Sequence, residues 1–98
     1  MAYQFGSLDA SLAAAIGDDA MLIAELRESL ISNARDHADL LSRARCDANW
    51  TVAAHRLHGL AASYGAQQLM VAAQRALDSA PGDPVALHKV RRAIDALC

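Results

Sequence analysis

Apolar residues recur at intervals of three and four along most of this chain, which is the spacing of one face of an α-helix. The pattern predicts a short helix that ends at about Ile16, and then longer helices over residues 18 or 19 to 45, 48–65, 67–80 and 85–97. Loops of only a few residues join the longer helices, so consecutive helices are expected to run in opposite directions. The predicted fold is all-α: an antiparallel up-and-down four-helix bundle with a short extra N-terminal helix.

The predicted helix boundaries coincide with residues that commonly begin or end helices. The side chains expected to cap helix starts are Ser7, Asp18 or Asp19, Asp47 and Asp83. Pro84 follows Asp83 and suits the first position of the last helix. Gly17 is expected to end the first helix, and Gly65 marks a bend after the third.

Length and composition fit a small helical domain. The chain has 98 residues, which predicts one domain spanning 1–98. Its hydrophobic content is 54%, much of it alanine, and only 4% of residues are aromatic, which favours closely packed helices over sheets. The formal net charge is −2 and there is no basic run, so nucleic acid is not expected as a partner.

The N-terminus and the cysteines indicate the compartment. No basic segment followed by a long apolar run opens the chain, so neither a signal peptide nor a membrane span is predicted. Cys46 and Cys98 provide neither a disulfide framework nor the spacing of metal ligands. We therefore expect a cytoplasmic protein in reducing surroundings. Mixed charges on the outer helix faces favour a monomer.

The third helix places a histidine on its outer surface. On a helical wheel His55 lies opposite the apolar stripe that contains Trp50 and Leu57, so its imidazole is expected to face water. The same outer stripe carries small residues, among them Gly59, where the long polar side chains usual on a helix surface would be expected. Glycine within a helix costs about 0.5–1 kcal/mol relative to alanine, and close approach by another molecule is one reason to keep it.

These residues form a pattern known from signalling proteins. The sequence Ala54-His55-x-Leu57-x-Gly59, followed by Gly65-Ala66 and then Leu69, resembles the signature of histidine-containing phosphotransfer (HPt) domains of two-component phosphorelays. The resemblance implies that His55 accepts a phosphoryl group from the aspartyl phosphate of a response-regulator receiver domain and passes it to another receiver. Receiver domains would be the partners, and a hybrid histidine kinase is a further candidate.

The resemblance also implies which groups each of the two proteins contributes to the transfer. The receiver would supply Mg²⁺ and the acidic pocket, so the chain itself is expected to need no cofactor and to be a phosphoryl carrier without a kinase or hydrolase centre. The expected docking surface around His55 comprises Thr51, Arg56, Gly59, Ala62 and Ala66.

Two positions depart from the family pattern. His58 takes the place of the usual lysine, and we expect it to stabilise the phosphoryl group as a hydrogen-bond donor and partial cation. Leu77 takes the place of a glutamate or glutamine that can orient the acceptor imidazole. Gln74 and Asp78 are the candidates to replace it from neighbouring positions.

Other roles for the helix that carries His55 have less support in the sequence than phosphoryl transfer. His55 and His58 could together bind a metal, but the sequence provides no third ligand near them and no metal site is predicted. An enzyme with its own substrate is disfavoured, because no acid, base and pocket can be assembled from the residues. The main alternative is a helical-bundle adaptor that binds receiver or kinase domains without being phosphorylated.

Overall fold

The structure, a computed structural model, describes the backbone of residues 3–98 and the side chains of residues 8–98. It contains α1 (Tyr3–Ile16), α2 (Ala20–Arg43), α3 (Asp47–Tyr64), α4 (Gln67–Leu77) and α5 (Pro84–Asp95). Residues 3–98 include no β-strand, so the all-α class predicted from the sequence is confirmed.

Two helix starts follow the predicted capping chemistry. The Asp19 carboxylate accepts hydrogen bonds from the backbone N–H groups of Met21 and Leu22, both at 3.1 Å, at the start of α2. The Asp83 carboxylate accepts from the N–H of Val85 at 3.0 Å, and Pro84 is the first residue of α5. These caps satisfy N–H groups that have no carbonyl partner within the helix.

Two predicted caps are wrong. Ser7 lies inside α1, which begins four residues earlier at Tyr3, so its position is interior rather than terminal. Asp47 is the first residue of α3, and the extended residue before the helix is Cys46, which forms no side-chain capping bond. Because Asp47 already has helical backbone geometry, its carboxylate acts on the N-terminal end of the helix dipole instead.

Three helices end at least two residues earlier than predicted. α2 ends at Arg43 rather than at about residue 45, α4 at Leu77 rather than at residue 80, and α5 at Asp95 rather than at about residue 97. Pro81 accounts for part of the difference in α4, because it disfavours helical backbone geometry at the residue before it, Ala80.

The helices pack side against side around one apolar core. α2 contacts α3 and α5, α4 contacts the same two helices, and α1 contacts α2 and α3. Large side chains that are fully or almost fully buried include Trp50, Leu30, Leu41, Leu57 and Leu69. Among the described helices, none has the length and apolar character needed to cross a membrane.

α3 and α4 are extensively packed against each other, and both bury alanines. Ala54 and Ala61 of α3 and Ala73 and Ala76 of α4 are completely buried, and such small side chains allow neighbouring helix backbones to approach closely. Trp50 is 1% exposed, and its Nε1–H donates a 2.7 Å hydrogen bond to the backbone carbonyl of Ala76. The indole therefore fixes the start of α3 against the end of α4.

Gly65 makes the bend between α3 and α4, as the sequence predicts. Its φ of 72° places it in the left-handed region, and its N–H bonds back to the carbonyl groups of Ala61 and Ala62. A Cβ atom here would lie 2.8 Å from the Ser11 hydroxyl of α1. Both the conformation and the contact with α1 therefore require glycine.

Candidate functional site

His55 projects from the middle of α3 into solvent, as the helical wheel predicts. Its neighbours on the inner side of the helix, Ala54 and Leu57, are both completely buried. Because the inner face of α3 is packed against α2 and α4, the backbone that carries His55 is held on a rigid support. The imidazole is thus exposed, and the backbone that carries it is fixed by the packing of α3.

Most of the side chains around His55 are short, so the surface there is open to solvent. Thr51, Arg56, Gly59 and Ala62 are exposed, and the exposure predicted for these four residues is confirmed. A Cβ atom built at Gly59, one helical turn beyond His55, finds no atom within 4 Å. The surface therefore leaves room for another molecule to reach the imidazole.

The predicted exposure of Ala66 is wrong. Its side chain is 3% exposed and belongs to the core, and its N–H donates a 2.9 Å hydrogen bond to the carbonyl of Ala61. The helical wheel of α3 ends at the left-handed Gly65, which turns the chain inward, so Ala66 does not share the outer stripe. Its methyl group cannot belong to a docking surface.

Val52 is an apolar member of this surface that the sequence analysis did not single out. It lies three residues before His55, on a neighbouring part of the helix surface, and its side chain is 48% exposed. An exposed valine within three residues of an exposed histidine is the signal that identifies it. Val52 gives the surface an apolar contact point for a protein partner.

Polar groups near His55 are few. His58, three residues further along α3, is half-buried, which agrees with its expected place at the shoulder of the outer stripe. Arg56 is exposed and, within residues 8–98, forms no ion pair. Its guanidinium group is therefore available to an anionic group brought to His55.

The groups expected to orient the imidazole do not do so. The Gln74 amide donates to the Asp78 carboxylate at 3.4 Å, so these two side chains bond each other within one turn at the end of α4. Among the side chains of residues 8–98, none forms a hydrogen bond with His55. Within this part of the chain, no hydrogen bond fixes the tautomer of His55.

The group available for chemistry on this surface is the exposed imidazole of His55. A neutral histidine presents one ring nitrogen with an unshared electron pair, and here that nitrogen is reachable by a partner molecule. Within residues 3–98 no group of three or more histidine, cysteine or acidic side chains is placed to hold a metal ion.

Comparisons of the chain with family models, with curated proteins and with solved structures find no match.

Proposed function

We propose that this protein is a phosphorelay intermediate that carries a phosphoryl group on His55. The observation that carries the proposal is an exposed imidazole on a surface of small side chains, held by a helix whose opposite face is fully buried. A carrier needs a reachable nucleophile on a rigid support and no substrate pocket of its own. The resemblance of residues 54–69 to the HPt signature supports the same conclusion.

The proposed reaction moves one phosphoryl group between two proteins. A ring nitrogen of His55 attacks the phosphorus of a receiver's aspartyl phosphate, the N–P bond forms, and the P–O bond to the aspartate breaks. The electron pair of that bond stays on the aspartate, which leaves as a carboxylate. Attack by the aspartate of a second receiver reverses these steps, and each receiver supplies its own Mg²⁺.

Two nitrogen-bearing side chains, those of His58 and Arg56, are proposed to assist the transfer. His58, at the shoulder of the surface, donates a hydrogen bond to a phosphoryl oxygen in the place of the usual lysine. Arg56, adjacent to His55, attracts the anionic partner. Thr51, Gly59 and Ala62 form the low docking surface, and Val52 adds an apolar contact.

We further propose that α2 to α5 form an antiparallel up-and-down four-helix bundle. The contacts of α2 and α4 with both α3 and α5 support this arrangement, because four helices in sequence around one core make such pairs. Short connections support opposite directions for consecutive helices. We also place the protein in the cytoplasm as a monomer, and its two free, exposed cysteines fit a reducing compartment.

Phosphoryl transfer from radiolabelled receivers tests the proposal. A panel of phosphorylated receiver domains is incubated with the protein and Mg²⁺, and the label is followed in the native chain, in His55→Gln and in His88→Gln. His88 is an exposed histidine on α5 and serves as the matched control. We expect acid-labile, alkali-stable label on the native chain and on His88→Gln, and none on His55→Gln.

An adaptor that binds receiver or kinase domains without being phosphorylated is the second candidate. The exposed Val52 and the lack of a hydrogen-bonded partner for His55 within residues 8–98 favour it, since both suit docking without chemistry. The same experiment separates the two functions. Receiver binding without label, and equally strong in His55→Gln, would establish the adaptor and reject the carrier.

A further inference from the structure

A second surface feature lies between α4 and α5. The two helices flank an open groove with a volume of about 640 Å³. Its lining comes from α4 and from α5 with the residue directly after it, and includes no residue of α3, so the groove is separate from the surface around His55. Binding of a partner in this groove would not depend on phosphoryl transfer at His55.

The groove is positively charged on both sides. Arg75 lines it from α4, and Lys89 and Arg92 line it from α5, while its lining contains no aspartate or glutamate. Within residues 8–98, these three cations form no ion pair, although Arg27, Arg35 and Arg43 elsewhere each do; the three paired arginines all belong to α2. The chain as a whole has a net charge of −2, so the groove concentrates positive charge on an otherwise acidic protein.

The shape of the groove fits an extended partner better than a small ion. Its floor includes alanines, and their short side chains leave the space between the helices open. Val71 lines the groove and is 59% exposed, which provides an apolar contact. The lining on the α5 side runs from His88 to Ala96, a length of about 12 Å at the helical rise of 1.5 Å per residue. A segment of about two helical turns fills that length.

We propose that this groove binds an acidic amphipathic helix of a partner protein. Such a helix would place apolar side chains against Val71 and the alanine floor and carboxylates against Arg75, Lys89 and Arg92. A lone phosphate would leave the apolar floor uncovered. Nucleic acid would require a longer basic surface than three cations provide.

Binding of a designed peptide to the full chain tests the proposal. The probe is a fluorescein-labelled helical peptide of about 18 residues with leucines at helical spacing on one face and glutamates beside them. Its control has glutamine in place of each glutamate. Fluorescence anisotropy is measured at low and high salt. We expect saturable binding of the acidic peptide, weakening as salt rises, and at least about tenfold weaker binding of the glutamine peptide.

Charge reversal locates the binding surface. Lys89→Glu/Arg92→Glu is expected to weaken peptide binding at least about tenfold. The matched control, Arg45→Glu/Arg91→Glu, makes the same change in net charge at exposed arginines outside the groove, and is expected to alter binding less than about twofold. Circular dichroism verifies that both variants are folded.

Three results would overturn the proposal. The first is no saturable binding of the acidic peptide. The second is an equal loss of binding in the groove variant and in the matched control, which would mean attraction by overall charge alone. The third is tighter binding of an oligonucleotide or of vesicles containing anionic lipid through Lys89 and Arg92, which would assign the groove to a different class of partner.

Discussion

Replacing Gly59 with alanine is expected to stabilise the protein. Gly59 lies in the interior of α3, is exposed, and does not have the positive φ found at three other glycines of the chain. An added Cβ atom meets nothing within 4 Å. The substitution therefore removes the conformational entropy that glycine loses in a helix without introducing a clash, and the free energy of unfolding should rise by about 0.5–1 kcal/mol.

The same substitution at Gly82 should have the opposite sign. A Cβ atom at Gly82 also meets nothing within 4 Å, so space is equal at the two sites. The φ of Gly82 is 81°, however, and an alanine in the left-handed region costs about 1–2 kcal/mol. Gly59→Ala and Gly82→Ala thus differ in backbone conformation and not in crowding.

Thermal unfolding followed by far-ultraviolet circular dichroism measures both effects. For a domain of this size 1 kcal/mol corresponds to about 4–8 °C, so Tm should rise by about 2–8 °C in Gly59→Ala and fall by about 4–16 °C in Gly82→Ala. A lower Tm for Gly59→Ala would refute the open helical environment of Gly59. An unchanged or higher Tm for Gly82→Ala would refute the conformational argument.

A larger residue at Gly59 separates stability from function. Glutamine is also a better helix former than glycine, so Gly59→Gln should keep at least the native stability. Its longer side chain projects one turn from His55 and should obstruct a receiver, whereas the methyl group of Gly59→Ala should not. We expect phosphoryl transfer to slow at least about tenfold only in Gly59→Gln. Equal transfer rates in both variants would mean that the partner does not approach over Gly59.

Three further substitutions have expected outcomes. Trp50→Phe removes the hydrogen bond to the Ala76 carbonyl and leaves space in the core, so urea unfolding should show a loss of about 2–3 kcal/mol; a loss below about 0.5 kcal/mol would contradict this packing. Asp83→Ala removes the cap of α5 and should cost about 1 kcal/mol by the same assay, whereas Asp36→Ala, at an exposed mid-helix position, should cost much less. His58→Lys should maintain or raise the rate of label transfer from a receiver, and a collapse of transfer would reject its electrostatic role.

The sequence was sufficient for the parts of the fold that depend on local chemistry. The apolar spacing predicted all the helices after α1 to within a few residues, because burial of one face at a helical period leaves a direct mark on the sequence. Capping could be predicted at Asp83 and at Asp18 or Asp19, because a cap bonds N–H groups only a few residues away, and the structure shows that Asp19 is the cap of α2. The exposure of His55 followed from the same periodicity.

Features that depend on the relative position of helices could not be predicted in this way. The sequence predicts Ala66 as part of the docking surface, but the burial of Ala66 depends on where the bend at Gly65 directs the chain. Ser7 has the right side chain for a cap, yet the start of α1 at Tyr3 leaves it without a terminal role. The groove combines Arg75 with Lys89 and Arg92 across two helices, and no spacing within one helix reveals it.

The distribution of contacts among the helices assigns separate surfaces to the two proposed activities. α3 packs against α1, α2 and α4, which leaves one outer face for His55, whereas the groove needs only α4 and α5. Charge reversal at Lys89 and Arg92 should therefore leave phosphoryl transfer through His55 unchanged, and His55→Gln should leave binding of the acidic peptide unchanged. A change of label transfer in Lys89→Glu/Arg92→Glu would mean that the receiver also contacts the groove, and a change of peptide binding in His55→Gln would mean that the peptide reaches α3, because independent sites contribute additively.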